Sequence, residues 1–335
     1  MGKLISKDDR FFIAGSRGMV GQAIIKALKK SGYGEKEHGG ILFTPSRKEL
    51  NLFNLYEVEN WFLTNKPTVV ILAAAKVGGI FANNAQPADF ILENLKIQNN
   101  VIEMAYKYGV KRFLFLGSSC IYPKFAEQPI NEESLLMGTL EPTNQWYAIS
   151  KIAGLKLCEA LRKQHGFDSI CLMPTNLYGP GDNYHPENSH VMAAMIKKFV
   201  NAKRNCSPYV ECWGTGSPLR EFLHVDDLGN ASIFCLENWD PSQNNAPKDM
   251  HGNSLNHLNI GTGKDISIKL LAKKVSEIVG YSGKTIWDKS KPDGTPKKQL
   301  DISRISSLGW SPKITLEEGI RETVSLYKNL ETKNK

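Results

Sequence analysis

The sequence has no hydrophobic run long enough to cross a membrane. Its longest aliphatic stretch, residues 69–75, is far shorter than the roughly 20 residues that a spanning helix requires. Residues 1–12 mix Lys, Asp and Arg and contain no apolar block of the kind found in signal peptides. We therefore expect a cytoplasmic protein that does not bind a membrane.

Cysteine is scarce and scattered. The chain has 6 cysteines in 335 residues, without a Cys-x-x-Cys pair and without Cys and His at zinc-finger spacing. We expect reduced thiols and no bound metal. The cysteines are Cys120, Cys158, Cys171, Cys206, Cys212 and Cys235.

Acidic side chains are fewer than basic ones, 34 against 42, which leaves a formal net charge of +8. This surplus favours anionic partners such as phosphates, membranes or nucleic acid. The lysines are dispersed and form no basic stripe interleaved with aromatic residues, so we expect no nucleic-acid partner. With 41% hydrophobic and 23% charged residues, the composition is that of a folded protein with enough length for two domains.

Short apolar runs alternate with longer helical patterns through the first half of the chain. Buried strands are predicted at residues 10–14, 40–43, 69–72, 112–116 and 169–173. Between strands, residues 19–30 and 89–108 have the apolar spacing of helices. This repetition predicts an α/β fold with a doubly wound parallel sheet, an NAD(P)-binding Rossmann fold whose ligands lie beyond the carboxyl ends of the strands.

The alternation of short apolar runs and helical patterns ends after Tyr178. A long polar loop at 179–188 precedes a helical pattern at 191–202, and a strand at 258–260 precedes a helix at 267–279. Residues 240–256 are polar and without period, which indicates an exposed excursion. We expect an NADP-binding domain at 1–178 and mainly a smaller α/β substrate domain at 179–335. The two are interleaved, because a strand near 257–261 rejoins the first sheet.

Three glycines stand between the first strand and the first helix. Gly15, Gly18 and Gly21 have Gly-x-x-Gly-x-x-Gly spacing, which allows amides at a helix N-terminus to hold a dinucleotide pyrophosphate. The second strand ends without the carboxylate that commonly meets the ribose of NAD. Arg47 at that strand end and Arg17 in the loop are instead suited to a 2′-phosphate, which favours NADP.

A tyrosine and a lysine lie four residues apart on a predicted helix. Tyr147 and Lys151 can share one helix face, where an ammonium can lower the pKa of the phenol and make it a proton donor or acceptor. Ser118 follows the fourth strand and should face the same crevice. A phosphate loop, a strand-end serine and this pair, in this order, indicate an active site.

With these motifs the chain resembles the extended short-chain dehydrogenase/reductase family. Within it, the resemblance is to the enzymes that epimerise carbons 3 and 5 of GDP-4-keto-6-deoxy-D-mannose and reduce carbon 4 with NADPH, giving GDP-L-fucose. The similarity extends from about residue 11 to 312, and Ser16 departs from it, since many relatives carry His there. The matching segments are 14–21, 72–79, 117–123, 174–179, 188–191, 220–227 and 291–296.

The resemblance implies roles for five catalytic residues. Cys120 and His190 would exchange protons at carbons 3 and 5, with Cys120 as base and His190 as acid. Their residue types have ordinary pKa values of about 8.5 and 6.5, which suit proton exchange but do not decide which is the base. Ser118 and Tyr147 would stabilise the enolate oxygen, Tyr147 would protonate it during hydride transfer, and Lys151 would hold the nicotinamide ribose.

The resemblance also implies binding residues and a homodimer formed through helices beside the one that carries Tyr147. Arginine and lysine suit a diphosphate, and a tryptophan offers a face to a base or sugar. The residues expected to bind NADP are Gly15, Ser16, Arg17, Gly18, Met19, Val20, Gly21, Arg47, Leu116, Gly117, Ser118, Ser119, Lys151, Pro174, Thr175, Asn176, Leu177 and His190. Those expected to bind the GDP-sugar are Lys198, Trp213, Arg220, Asp293 and Lys298, with 291–296 as a loop able to close on a ligand.

Two other classes of function stay open. One is a nucleotide-sugar 4-epimerase or 4,6-dehydratase with tightly held NAD, although a dehydratase would carry an acidic pair where Ser119 and Cys120 stand. The other is a non-catalytic NADP-sensing protein, a class that commonly loses the Tyr/Lys pair retained here.

Overall fold

A computed structural model describes residues 2–185, 189–291 and 293–333. Its strands are β1 (Arg10–Ala14), β2 (Ile41–Phe43), β3 (Val69–Leu72), β4 (Arg112–Leu116), β5 (Ser169–Pro174), β6 (Asn176–Tyr178), β7 (Tyr209–Trp213), β8 (Leu219–His224), β9 (His257–Ile260), β10 (Asp265–Ser267), β11 (Lys284–Asp288) and β12 (Lys297–Lys298). Its α-helices are α1 (Met19–Lys30), α2 (Leu55–Asn65), α3 (Ile80–Ala85), α4 (Pro87–Lys107), α5 (Gln145–His165), α6 (Val191–Arg204), α7 (Val225–Asn238), α8 (Ile268–Val279), α9 (Ser303–Ser307) and α10 (Leu316–Lys333). Short 3-10 helices cover Lys36–His38, Ser119–Ile121 and Glu132–Ser134.

The largest sheet has six parallel strands in the order β2-β1-β3-β4-β5-β9. This confirms the predicted α/β class with a doubly wound parallel sheet. From β1 the chain passes to β2 on one side and then to β3 on the other, so the strand order reverses there. A crevice opens at such a reversal, beyond the carboxyl ends of the strands, and the glycine loop follows β1 at this point.

Apolar side chains on both faces of the sheet form two cores. Every residue of β3 and β4 is buried, as expected for central parallel strands covered on both sides. One core joins the sheet to α1 and α7, for example through Leu28 and Leu236, and the other joins it to α2, α4 and α5, for example through Phe62 and Leu155. Full burial of such a side chain contributes about 1.5–3 kcal/mol, so the edge of the crevice rests on a rigid base.

A third core lies among α6, α8 and α10 and includes Phe199, Val275 and Ile320. Beside it, β8 pairs with β10, β12 and β6, while β7 pairs with β11. The predicted helices at 191–202 and 267–279 form as α6 and α8; Ser267 ends β10 and caps α8 through its Oγ. The predicted strand at 258–260 lies within β9, at the edge of the first sheet next to β5.

The expected two-domain division stays a prediction. None of the helices within the described residues has both the length and the apolar content needed to span a membrane.

Candidate active site

The glycine loop leaves no room for side chains at two of its glycines. Gly15 has φ +88°, and a Cβ there would lie 2.6 Å from the backbone nitrogen of Ala74. A Cβ on Gly21 would lie 2.8 Å from the Cα of Ser16 and closer still to the Gly15 carbonyl. Gly18 is the N-cap of α1 and supplies no side-chain hydrogen bond to the first turn. The helix amides therefore open onto a cradle that fits an anion such as a pyrophosphate.

The end of β2 carries cationic side chains near this cradle. Arg17 and Arg47 are exposed, and the Arg47 guanidinium lies 4.8 Å from the centre of the Phe53 ring. Glu49 follows Arg47 by two residues, and its Oε2 accepts a 2.6 Å hydrogen bond from the Ser46 amide. Hydrogen bonds with the Ser46 side chain and then with its amide, and to a smaller extent the Arg17 charge, lower the pKa of Glu49. The carboxylate is thus engaged locally, and the guanidinium groups face solvent.

Tyr147 and Lys151 stand one turn apart on α5. Lys151 is 3% exposed, and its Nζ donates a 2.9 Å hydrogen bond to the Leu116 carbonyl at the end of β4. Burial lowers the pKa of Lys151 to about 8. Burial also raises the pKa of Tyr147, and this outweighs the opposing hydrogen bond with Ser118. Tyr147 is therefore a neutral phenol that can donate a proton, and its pKa is not lowered here as the pairing alone predicts.

Ser118 and Cys120 follow β4 on the short 3-10 helix. The Cys120 amide donates to Ser118 Oγ at 3.2 Å, which fixes the two side chains relative to each other. Cys120 is half-buried, and its Sγ accepts hydrogen bonds from Asn144 Nδ2 and Lys298 Nζ, each at 3.4 Å. The structure thus places Lys298 against the thiol. Asn144 was not found from the sequence, because it gains its role only when α5 packs beside the loop after β4.

His190 is the N-cap of α6, on another wall of the crevice. The preceding Ser189 carbonyl would lie 2.7 Å from a Cβ on Gly79, so this segment lies close against the loop that follows β3. His190 reaches solvent, yet the protein around the imidazole removes part of its hydration and lowers its pKa. Among the hydrogen bonds of the described residues, none joins His190 to Cys120. Asn188 of the matched segment 188–191 lies outside the described residues.

The residues expected to hold NADP near the end of β5 line the crevice edge. The Thr175 amide donates to the Ile260 carbonyl at 3.0 Å, and Asn176 Nδ2 donates to the Glu221 carbonyl at 2.8 Å. A Cβ on Gly181 would lie 3.5 Å from the Cα of Met19, so the loop after β6 passes over the start of α1. This loop and the glycine cradle face each other.

Arg220 and Lys298 lie side by side on paired strands, β8 and β12. Arg220 is half-buried, and burial lowers its pKa; its Nη2 donates to the Asp293 carbonyl at 3.4 Å. The Asp293 carboxylate accepts from the Thr215 amide at 2.8 Å and from Thr215 Oγ1 at 2.7 Å. These contacts tie the loop at 293–296 to the turn after β7, whereas Pro292 lies outside the described residues.

Trp213 presents an open aromatic face between two ammonium groups. Its side chain is 50% exposed, and Lys198 Nζ and Lys291 Nζ each lie 5.6 Å from the centre of its ring. Lys198 Nζ also donates to the Glu211 carbonyl at 2.9 Å. An exposed indole with flanking cations is suited to a planar group that carries phosphate.

Glu221 is a further residue that sequence reasoning missed. Its buried carboxylate accepts backbone hydrogen bonds from Thr262, from Gly263 at 2.8 Å and from Leu300 at 2.7 Å. Burial raises the pKa of Glu221. The carboxylate joins β8 to the loop after β9 and to the segment that follows Lys298. An acid inside an otherwise apolar strand was the available signal.

In this parallel sheet the strand order reverses at a glycine cradle, and a helix that carries Tyr and Lys lies beside a strand-end serine. This arrangement defines a dinucleotide-binding enzyme of the oxidoreductase and epimerase type. The model of the NAD dependent epimerase/dehydratase family matches residues 11–261, and the chain belongs to this family.

Individual relatives extend this similarity over nearly the whole chain. GDP-L-fucose synthase 1 of Arabidopsis thaliana is 53% identical over 321 residues, covering 96% of this chain and 94% of the relative. GDP-L-fucose synthase of Escherichia coli K12 is 50% identical over 322 residues, covering 95% and 96%. Among solved structures, a GDP-mannoheptose C4 reductase from Campylobacter jejuni with NADP bound has a TM-score of 0.84 and 37% identity, covering 97% of this chain and 99% of that chain.

Proposed function

We propose that this chain converts GDP-4-keto-6-deoxy-D-mannose into GDP-L-fucose with NADPH, by epimerising carbons 3 and 5 and reducing carbon 4. The observation that carries the proposal is the meeting of Ser118, Cys120 and Tyr147 at the carboxyl end of β4. The names of the relatives from Arabidopsis thaliana and Escherichia coli support the same activity.

The cofactor site fits NADPH, which supplies a hydride when bound. The amides of the Gly15 to Gly21 loop would hold the pyrophosphate at the N-terminus of α1, and the lack of side chains at Gly15 and Gly21 lets the loop backbone pack closely enough to form the cradle. Arg17 and Arg47 would bind the 2′-phosphate, since both guanidinium groups are exposed beside the cradle. Lys151 would hold the nicotinamide ribose at the crevice floor. The NADP in the related C4 reductase supports this cofactor.

Epimerisation needs a base on one face of the sugar and an acid on the other. The 4-keto group acidifies the protons on carbons 3 and 5, and Cys120 Sγ would remove one while the electron pair of the C–H bond moves to the carbonyl oxygen. Ser118 Oγ and the Tyr147 hydroxyl would hydrogen-bond the enolate oxygen. His190, at the N-cap of α6 and apart from β4 and α5, would return a proton to the other face. The two-wall arrangement supports this division of roles.

Reduction uses the same residues around carbon 4. The Tyr147 hydroxyl would give its proton to the carbonyl oxygen as carbon 4 accepts the hydride. Its raised pKa keeps the phenol protonated near neutral pH, which suits a proton donor. Arg220 and Lys198 would bind the diphosphate, Trp213 would contact the nucleoside, and Asp293 would hold the enclosing loop in place.

We further propose a cytoplasmic homodimer. Helices α4 and α5 pack side by side, and their outer surface exposes Leu92, Trp146 and Ile149, which a second copy would cover. All six cysteines are free, which is consistent with a reducing compartment. Light scattering tests the assembly: a Trp146→Glu variant should be monomeric, and a monomeric wild type would contradict the dimer.

The activity is tested by mixing the purified chain with GDP-4-keto-6-deoxy-D-mannose and NADPH in D2O. We expect NADPH oxidation and a GDP-L-fucose product that carries deuterium at carbons 3 and 5. A reduced product without solvent deuterium would make the chain a simple C4 reductase. Absence of NADPH oxidation would contradict the proposal altogether, and interconversion of C4 epimers when a 4-hydroxy nucleotide sugar with NAD is supplied instead would indicate an NAD-dependent 4-epimerase.

A further inference from the structure

Two hydrogen-bond donors from distant parts of the chain meet at the sulfur of Cys120. Asn144 lies just before α5 and Lys298 lies on β12, and each places a nitrogen 3.4 Å from Sγ. A neutral thiol is a weak acceptor, whereas a thiolate is an anion that binds ammonium and amide donors well. Convergence of a cation and an amide on one sulfur therefore favours the anionic form.

Two cations act on this sulfur: Lys298, which contacts it, and Arg220, the neighbour of Lys298 on β8, whose charge interacts with Cys120 over a longer distance. Cys120, Glu141, Asn144 and Lys298 line a common cavity of about 20 Å³. Glu141, the carboxylate of this cavity, pairs with Lys124 at 2.9 Å. Within the described residues Lys298 forms no ion pair with a carboxylate, whereas its neighbour Lys297 pairs with Asp265 at 3.5 Å. The ammonium of Lys298 is thus free to act on the sulfur.

Backbone hydrogen bonds and strand pairing fix the segments that carry both donors. The Asn144 amide donates to the Glu141 carbonyl at 3.1 Å, in the turn that leads into α5. Lys298 is in register with Arg220 on β8, and the Leu300 amide two residues later is bound to the Glu221 carboxylate at 2.7 Å. The donors are therefore placed by the fold before any substrate arrives, which is what a preorganised charge requires.

We propose that Lys298, aided by Asn144, holds Cys120 as a thiolate and so makes it the base of the epimerisation. The inference rests on the proposed function and gives Lys298 a role other than the GDP contact that the family resemblance implies. The Cys120 thiol releases its proton to solvent, and the resulting thiolate takes the proton from carbon 3 or 5 while the electron pair moves into the enolate. Asn144 is a positioning residue that aims the sulfur.

The first experiment needs no substrate. The full chain is treated with iodoacetamide between pH 5 and 9, and alkylation of Cys120 and of exposed Cys206 is followed by peptide mass spectrometry. Because the thiolate is the reactive form, Lys298→Met should slow Cys120 alkylation at pH 7 by about tenfold and leave Cys206 unchanged. Lys298→Arg should stay within about threefold of wild type, and Asn144→Ala should slow alkylation by about threefold.

Lys297→Met is the matched control, because this lysine is the neighbour of Lys298 on β12 but pairs with Asp265. In this variant Cys120 should be alkylated at the same rate as in the wild type. If Lys298→Met and wild type have the same Cys120 alkylation curve, or if Lys297→Met slows it equally, the inference is overturned.

The second experiment follows uptake of solvent deuterium into the keto sugar at several pH values. Lys298→Met should lose exchange at pH 7 and recover it at higher pH, where the thiolate forms without help; a merely structural role would not restore it. If Lys298→Met only raises KM and leaves alkylation unchanged, Lys298 is a GDP contact and the inference fails. If the wild type neither exchanges nor oxidises NADPH, the proposed function fails, while the alkylation result still reports the state of Cys120.

Discussion

The two walls of the crevice are built in different ways. The wall formed by β4 and α5 carries Ser118, Cys120, Tyr147 and Lys151 within a short stretch of chain, on elements packed into the central cores. The other wall, between His190 and Lys298, gathers its residues from short strands and loops, and several of them are exposed. The first wall is suited to moving protons. The second is suited mainly to recognising the substrate, although His190 and Lys298 give it a part in proton transfer.

The means of support also differ. On the first wall, Lys151 is fixed by burial and by the carbonyl at the end of β4. On the second, strands β8 and β12 and the loop after β9 depend on one buried carboxylate, Glu221. We therefore expect substitutions on the first wall to lower kcat. On the second wall, substitutions of the exposed recognition residues such as Trp213 should raise KM, whereas His190 and Lys298 act in proton transfer.

Tyr147→Phe should have the largest effect. Loss of the proton donor should lower the rate of carbon 4 reduction by about 10³-fold, within the usual range for a general acid. Folding should be unchanged, because the ring and its contact with Phe90 remain. NADPH oxidation measures reduction, and deuterium uptake should persist because Cys120, His190 and Ser118 remain. Normal turnover would refute the donor role of Tyr147. It would also contradict the expectation that substitutions on the first wall lower kcat.

Gly21→Ala tests the glycine cradle, which lies between the two walls. Its Cβ would collide with the Gly15 carbonyl and with Ser16 and distort the cradle, so NADPH affinity should fall by about 100-fold. Fluorescence titration with NADPH measures this. Gly166→Ala is a control for backbone strain without a clash, since Gly166 has φ +69° and no atom within 4 Å of its Cβ position, whereas Gly21 lies in α1 and its Cβ would clash. Equal NADPH affinity in the two variants would show that the cradle does not bind the cofactor.

The contrast between the walls also decides what the sequence can predict. The glycine loop, Ser118 and the Tyr147–Lys151 pair belong to local patterns whose spacing alone places them on a turn, a strand end and one helix face. Asn144 and Glu221 acquire their roles only through contacts with distant segments, and β12 is a pair of residues without periodicity. The family resemblance led us to expect Lys298 at the diphosphate. Its contact with Cys120 could not be predicted from the sequence, because that contact depends on the pairing of β12 with β8. Strand β7, in contrast, has the alternating exposure that a period of two would have predicted.

Lys151 gives the first wall a pH dependence. Its pKa of about 8 means that the ammonium is present below that pH and is lost as the pH rises through it. Affinity for NADPH should therefore be constant between pH 6 and 7.5 and should fall by up to about tenfold between pH 8 and 9. Lys151→Arg, which keeps its charge, should remove the decline, and Lys151→Met should bind weakly at every pH. A wild-type profile that is flat to pH 10 would exclude an ammonium contact with the ribose.

Trp213→Ala should have the smallest effect and tests the second wall by itself. The indole is half exposed, so its removal should leave stability and kcat unchanged, whereas loss of an aromatic contact with the nucleoside should raise KM by about tenfold. Tyr209→Ala is the matched control, because this side chain is 54% exposed on the same face of β7 but, among the described residues, has no lysine ammonium over its ring. Steady-state kinetics separate the two parameters. A fall in kcat with KM unchanged would place Trp213 among the residues that support proton transfer and would contradict its role in recognising the substrate.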